Sequence, residues 1–217
     1  MGQYAVIGLG SFGFHMAKKL GENGEEVIAI DANRAIVDDV KEFVTAAVVT
    51  DATDRDNLAQ LITKDLDVAI VSLGDKIEAS VMVTLYLREI GVKRIITKAL
   101  NPDHGKVLKM VGATEVIYPE KDMAEKLATN LSNPNVLDYL PLSGGHSIRE
   151  IAVPKAFEGK TLAELHLRKR FQVQVIAIRS AGTINLVPSA DYTFKAMDTA
   201  ILVGPNESLE KIVHAKE

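Results

Sequence analysis

Hydrophobic residues along this chain follow two patterns that take turns. Short unbroken apolar runs predict strands at residues 5–7, 25–31, 46–49, 68–74, 94–99 and 115–118. Between them, apolar positions recur every three to four residues. That spacing predicts helices after Gly13 (through Phe14, Ala17 and Leu20) and over residues 35–43, 57–62, 77–90 and 102–110. Strands that are apolar throughout must be covered on both faces. Strand–helix alternation of this kind predicts an α/β fold with a doubly wound parallel sheet. Ligands of such sheets bind outside the carboxyl ends of the strands. Asp31, Asp51, Ala52, Thr53, Leu73, Gly74 and Lys98 all fall at or near those ends.

The rhythm changes at Pro119. An amphipathic helix is predicted from there, with Met123, Leu127 and Leu131 on one side and a break near residues 132–135. Residues 136–140 resume the apolar pattern, so the stretch reads as a pair of connector or dimerising helices. Pro141-Leu142-Ser143-Gly144-Gly145 reads as a linker. Beyond it, strand 148–153, helix 161–167, strand 173–179, an apolar segment 184–188, strand 199–203 and helix 206–214 form a small α+β lobe. The expected organisation is thus an N-terminal domain over residues 1–120, connector helices over 121–140 and a small C-terminal domain over 141–217.

Bulk composition narrows the function. A length of 217 residues holds one medium and one small domain, and a net charge of −4 argues against binding nucleic acid by phosphate neutralisation. No apolar run approaches the roughly 18 residues that span a bilayer, and the N-terminus lacks a signal peptide. The absence of cysteine removes disulfides, thiolate metal sites and cysteine nucleophiles, and fits a cytoplasmic address.

The candidate chemistry begins at the first strand, which runs into Gly8-Leu9-Gly10-Ser11-Phe12-Gly13 and a helix. In such a loop the first glycine permits a tight turn, the second admits a pyrophosphate and the third allows close helix–sheet packing. The free N–H groups of the helix make an anion site without any charged side chain. The second strand ends in Asp31, 18 residues after Gly13, where a carboxylate can accept both ribose hydroxyls of an adenine nucleotide. The other reading of Asp31 is a cap for the helix that starts through Asn33, Arg34 and Ala35. The nucleotide should carry a free 2′-hydroxyl, since Asp31 repels a 2′-phosphate. Asn33 and Arg34 join the candidate set; alternatively, Arg34 lies on a solvated helix face.

Taken together, the glycine loop from Ile7 to Gly13, Asp31, Asp51-Ala52-Thr53, Lys98-Ala99, Pro119-Glu120-Lys121-Asp122-Met123 and Asn135-Val136-Leu137 resemble the RCK (regulator of potassium conductance) family. Within it, the chain is similar to the KtrA- and TrkA-type soluble subunits of bacterial potassium uptake systems. The resemblance covers essentially the whole chain. It implies a TrkA-N lobe, a TrkA-C lobe and a ring of homodimers, often an octamer. The ring docks on the inner face of a KtrB- or TrkH-like membrane partner and is peripheral to the membrane through it. ATP against ADP, or NAD(H), would set the ring's shape, which requires only that the ligands bind two conformations with different affinity. The resemblance further implies phosphates on Gly8, Gly10 and Gly13, ribose on Asp31, and adenine beside Asp51, Ala52 and Thr53. Lys98 would reach the phosphates, and Glu120 would hold Mg or Ca between subunits. Cyclic di-AMP would bind in the C-terminal lobe at Arg168, with Pro188 facing it.

Plain readings of single residues stand beside these. Glu120 also fits as an acid complementing a helix dipole, and Lys98 as a solvated strand-end charge. Arg168, Lys169 and Arg170 also fit as a basic helix end. Relatives of this type commonly carry arginine at the position of Ser11, where it is associated with the ATP γ-phosphate. Serine offers no charge, so ATP should gain less over ADP here and NAD(H) becomes a stronger candidate. Two rivals complete the expectation: a small NAD-dependent oxidoreductase, and a nucleotide sensor for a different membrane partner. The five histidines, His15, His104, His146, His166 and His214, show no catalytic spacing, and no residue is placed to position a nucleophile. Neither catalysis nor hydrolysis is therefore expected.

Overall fold

A computed structural model describes residues 2–132 and 136–214 and divides the chain into two compact units, residues 1–122 and 123–217. The first unit runs β1 (Gln3–Ile7), α1 (Ser11–Glu22), β2 (Glu26–Asp31), α2 (Arg34–Val40), β3 (Ala46–Val49), α3 (Arg55–Leu61), β4 (Val68–Val71), α4 (Ile77–Ile90), β5 (Ile95–Lys98), α5 (Pro102–Val111) and β6 (Glu115–Ile117). Its six strands lie parallel in the order β3-β2-β1-β4-β5-β6. Strand side chains point alternately to the two faces. Accordingly Ala5, Ile7 and Ile30 enter one core layer with Leu58, Val83 and Leu87 of α3 and α4. Val6, Val27 and Ala29 enter the other, with Ala17, Val37 and Val40 of α1 and α2. Covering both faces explains why the strands carry so few polar residues.

Register places the site. Ile7 pairs with Ile30 of β2 and with Val71 of β4, so the three strands end level with one another. The strand order reverses between β1 and β4, which opens a crevice at their carboxyl ends. Helix boundaries follow local chemistry: Asn33 caps α2 through Ala35 N, Asp54 caps α3 through Asp56 N and Asn57 N, and Asn101 with Pro102 opens α5.

The helix α6 (Pro119–Ser132) is followed in the second unit by β7 (Val136–Leu142), β8 (His146–Ala152), α7 (Leu162–Leu165), α8 (Leu167–Phe171), β9 (Gln174–Ser180), β10 (Thr183–Asn185), β11 (Thr199–Pro205) and α9 (Asn206–Val213). The five strands form an antiparallel sheet in the order β10-β9-β11-β8-β7. Ile151, Ile178, Phe194, Leu202, Leu209 and Ile212 are central to its core.

Three expectations are corrected in this unit. Residues 136–140 form part of a strand rather than a second connector helix. Residues 143–145 are the tight turn of the β7–β8 hairpin rather than a linker, with Gly144 at φ 72° and Gly145 at φ 76°. The helix expected over residues 161–167 is broken at His166, whose φ of 46° ends α7 and starts α8. The helix break predicted near residues 132–135 and the Asn135 of the family stretch fall, apart from Ser132, outside the described residues.

Candidate nucleotide-binding site

The cleft at the switch point has a volume of about 290 Å³. Its walls come in sheet order: Thr50, Asp51, Ala52 and Thr53 after β3, Asp31 and Ala32 after β2, Gly8 and Gly10 after β1, and Ser72, Leu73, Gly74 and Lys76 after β4. Two glycines are required sterically. Gly8 has φ of +90°, and a Cβ there would lie 2.3 Å from the Ser72 carbonyl oxygen. A Cβ on Gly13 would lie 1.9 Å from the Gly8 oxygen, so α1 can approach the loop only with glycine at that position. Gly10 differs, since a Cβ there would meet nothing within 4 Å. The space above it is open. No side chain caps α1, so its first N–H groups, which have no intrahelical partner, are left for a ligand. The donor set and the open space fit a phosphate group.

Asp31 is tied into this loop. Its Oδ2 accepts from Leu9 N at 2.6 Å and its Oδ1 from Asn33 N at 2.8 Å. The α2 cap is the Asn33 side chain, which accepts from Ala35 N at 3.0 Å. Asp51 Oδ1 accepts from both the N–H (2.9 Å) and the hydroxyl (2.8 Å) of Thr53. Those two bonds hold the Asp51 carboxyl below its ordinary range, with a smaller electrostatic contribution from Lys76.

The remaining candidates of this unit are not among the lining residues of the cleft. Leu9 is buried and meets the site through its backbone, Phe12 packs in the core layer beside α1, and Ser11 and Arg34 are exposed. Lys98 and Glu120 engage each other rather than the cleft, and the Lys98 hydrogen bond chiefly lowers the Glu120 carboxyl. Among the described residues, no group of three or more histidine, aspartate or glutamate side chains is placed to hold a metal. Thr50, Ser72 and Lys76 also line the cleft, and sequence reasoning did not single them out. Their signal was position, since each sits within five residues of the end of β3 or β4.

A second cleft, about 390 Å³, lies in the C-terminal unit between Leu162, His166, Arg168, Lys169, Gln174 and Pro188, among others. Arg168 lines it and donates from Nε to Gln174 Oε1.

A doubly wound domain with a glycine-loop cleft, followed by a small antiparallel lobe, defines the class: a dinucleotide-fold domain carrying a sensor-sized second domain. Residues 4–119 match the TrkA-N domain family and residues 147–215 the TrkA-C domain family. Ktr system potassium uptake protein C of Bacillus subtilis (strain 168) is 37% identical over 99% of both chains. Ktr system potassium uptake protein A of the same organism is 36% identical over 96% of this chain and 94% of its own. Among solved structures, the GsuK channel bound to NAD superposes with a TM-score of 0.66 at 21% identity, covering 100% of this chain and 40% of that one. The chain belongs to the TrkA-N plus TrkA-C family of the Ktr and Trk potassium uptake proteins.

Proposed function

We propose that the chain is the regulatory gating subunit of a Ktr- or Trk-type potassium transporter, and that an adenine nucleotide in the switch-point cleft sets the conductance of its membrane partner. The observation that carries this reading is the 37% identity to a Ktr potassium uptake protein over 99% of both chains. No helix among the described residues is long and apolar enough to cross a membrane. The cleft supports the nucleotide half. Adenine lies toward Asp51, Ala52 and Thr53, ribose at Asp31, and phosphates above Gly10 at the open end of α1. The rival oxidoreductase reading needs an acid–base group near a hydride acceptor. The described cleft lining holds no histidine or tyrosine but does hold Lys76, Asp31 and Asp51, so turnover is what separates the two readings.

Homodimers assembling into a ring on the cytoplasmic face complete the proposal, with cyclic di-AMP as a second ligand in the Arg168 cleft. A divalent ion at Glu120 would first have to displace the Lys98 ammonium. The test is calorimetric titration of the chain with ATP, ADP, NADH and cyclic di-AMP, followed by potassium flux with a KtrB-like partner in vesicles. The expected outcome is saturable binding of at least one adenine nucleotide and a flux that changes with it. Binding without any effect on flux would favour a different membrane partner, and turnover of NADH with a carbonyl compound would favour the oxidoreductase.

A further inference from the structure

Lys76 is out of place by local rules. It is the N-cap residue of α4, a helix of 14 residues, and its side chain caps nothing there. A cation at that end of a helix opposes the macrodipole. Its side chain makes no hydrogen bond or ion pair with any described residue, and the residue is exposed. It nevertheless lines the cleft together with Asp31 and Asp51, and it is the sole cation among the described lining residues. Sheet order gives the direction. The carboxylates stand at the ends of β2 and β3, the open space above Gly10 at β1, and Lys76 one strand further along at β4. A ligand with its sugar at Asp31 and its first phosphates above Gly10 therefore points the rest of its phosphate chain toward the Lys76 side. Ser11, the other side chain beside the loop, is exposed and lies outside the cleft lining.

The geometry points to Lys76 as the specificity-determining residue of the cleft, the group through which it distinguishes ligands by the length and charge of their phosphate tail. In the free protein the ammonium is felt at Asp51. A polyphosphate replaces that weak, water-screened interaction with a charge-assisted one and also places an anion at the start of α4. This inference rests on the nucleotide reading of the cleft and adds a residue and a rule to it: affinity rises with phosphate number because of Lys76.

The experiment is titration of the full chain with adenosine, AMP, ADP and ATP in magnesium-free buffer, comparing the natural chain with Lys76→Gln and Lys76→Arg. Lys76 is exposed, so both variants should keep the fold. The expected result is a ladder of affinity that rises with phosphate number in the natural chain. Lys76→Gln should leave adenosine within about twofold and weaken ATP by roughly tenfold, with ADP between, as the loss of one charge-assisted bond predicts. Lys76→Arg should restore the ladder. If Lys76→Gln shifts adenosine and ATP by the same factor, or leaves the ladder intact, the role of Lys76 is overturned while the nucleotide site stands. If the natural chain binds none of the four, this inference fails; the nucleotide reading fails with it only if NADH does not bind either.

Discussion

Glycines 10 and 13 sit three residues apart in one loop, yet their surroundings make opposite demands. At Gly13 a methyl group would be driven against the Gly8 carbonyl at 1.9 Å, and backbone cannot swing aside as a flexible side chain can. Gly13→Ala should therefore lower stability by about 1–3 kcal/mol in urea unfolding, the usual cost of overpacking. Gly10 has φ of −61° and open space around its missing Cβ. Gly10→Ala should keep stability within about 0.5 kcal/mol while placing a methyl group where a phosphate would sit. A Gly10→Ala chain that unfolds normally and binds ATP as well as the natural chain would remove the phosphate from that position. The glycines were legible in the sequence because each required role has a fixed spacing. Lys76 was not, because a single lysine at a helix start looks like any solvated charge until the sheet order shows which cleft it lines.

Helices α4 and α5 are joined by a small buried polar chain. His104 Nε2 lies 2.9 Å from Ser80 Oγ, Ser80 Oγ donates to Ile77 O at 2.8 Å, and Leu100 N donates toward His104 Nδ1 at 3.4 Å. With Nδ1 accepting, Nε2 carries the proton and the chain has one direction. Burial holds the His104 pKa below the ordinary histidine value. The unfolded chain then takes up a proton near pH 6.5 that the folded chain still refuses, so the unfolded state binds more protons below that point. Stability should be full above about pH 6.5 and fall as the pH drops through the window beneath it. His104→Asn should flatten that part of a urea-midpoint profile, and an unchanged slope would show that other groups set it. At this scale the parallel sheet was readable because its strands are uniformly apolar. Strand β7 was not. Its register shifts between Val136 and Asp138, which breaks the period of two, and it carries Pro141, which only an edge strand tolerates. The interruption at His166 was equally hidden, since a left-handed backbone at a histidine has no residue signature comparable to glycine.

For the whole molecule, the outward face of α6 is the clearest signal of company. Met123, Leu127 and Leu131, four residues apart, are 64%, 56% and 74% exposed, although each would stabilise an interface by about 1.5–3 kcal/mol if fully buried. A second copy of the chain is the occupant that the ring proposal requires. Light scattering should give a mass that is a multiple of 23.5 kDa, and Leu127→Ser should lower it. A natural chain that runs at 23.5 kDa at micromolar concentration would count against self-assembly. Family membership was legible at this scale because the motifs are spread over both units. Which ligand the cleft prefers was not, because the charges that line it, Asp31, Asp51 and Lys76, are brought together from three strand ends.

Asp31 has one further implication, for how the site can be dissected. The same carboxylate that faces the cleft also anchors Leu9 and Asn33, so replacing it loosens the glycine loop before any ligand arrives. Failure of such a variant to bind would confound a lost sugar contact with a collapsed phosphate cradle. The perturbation is better made on the small molecule: 2′-deoxy and 3′-deoxy adenine nucleotides, offered to the unaltered chain, each delete one hydroxyl and leave the cradle standing.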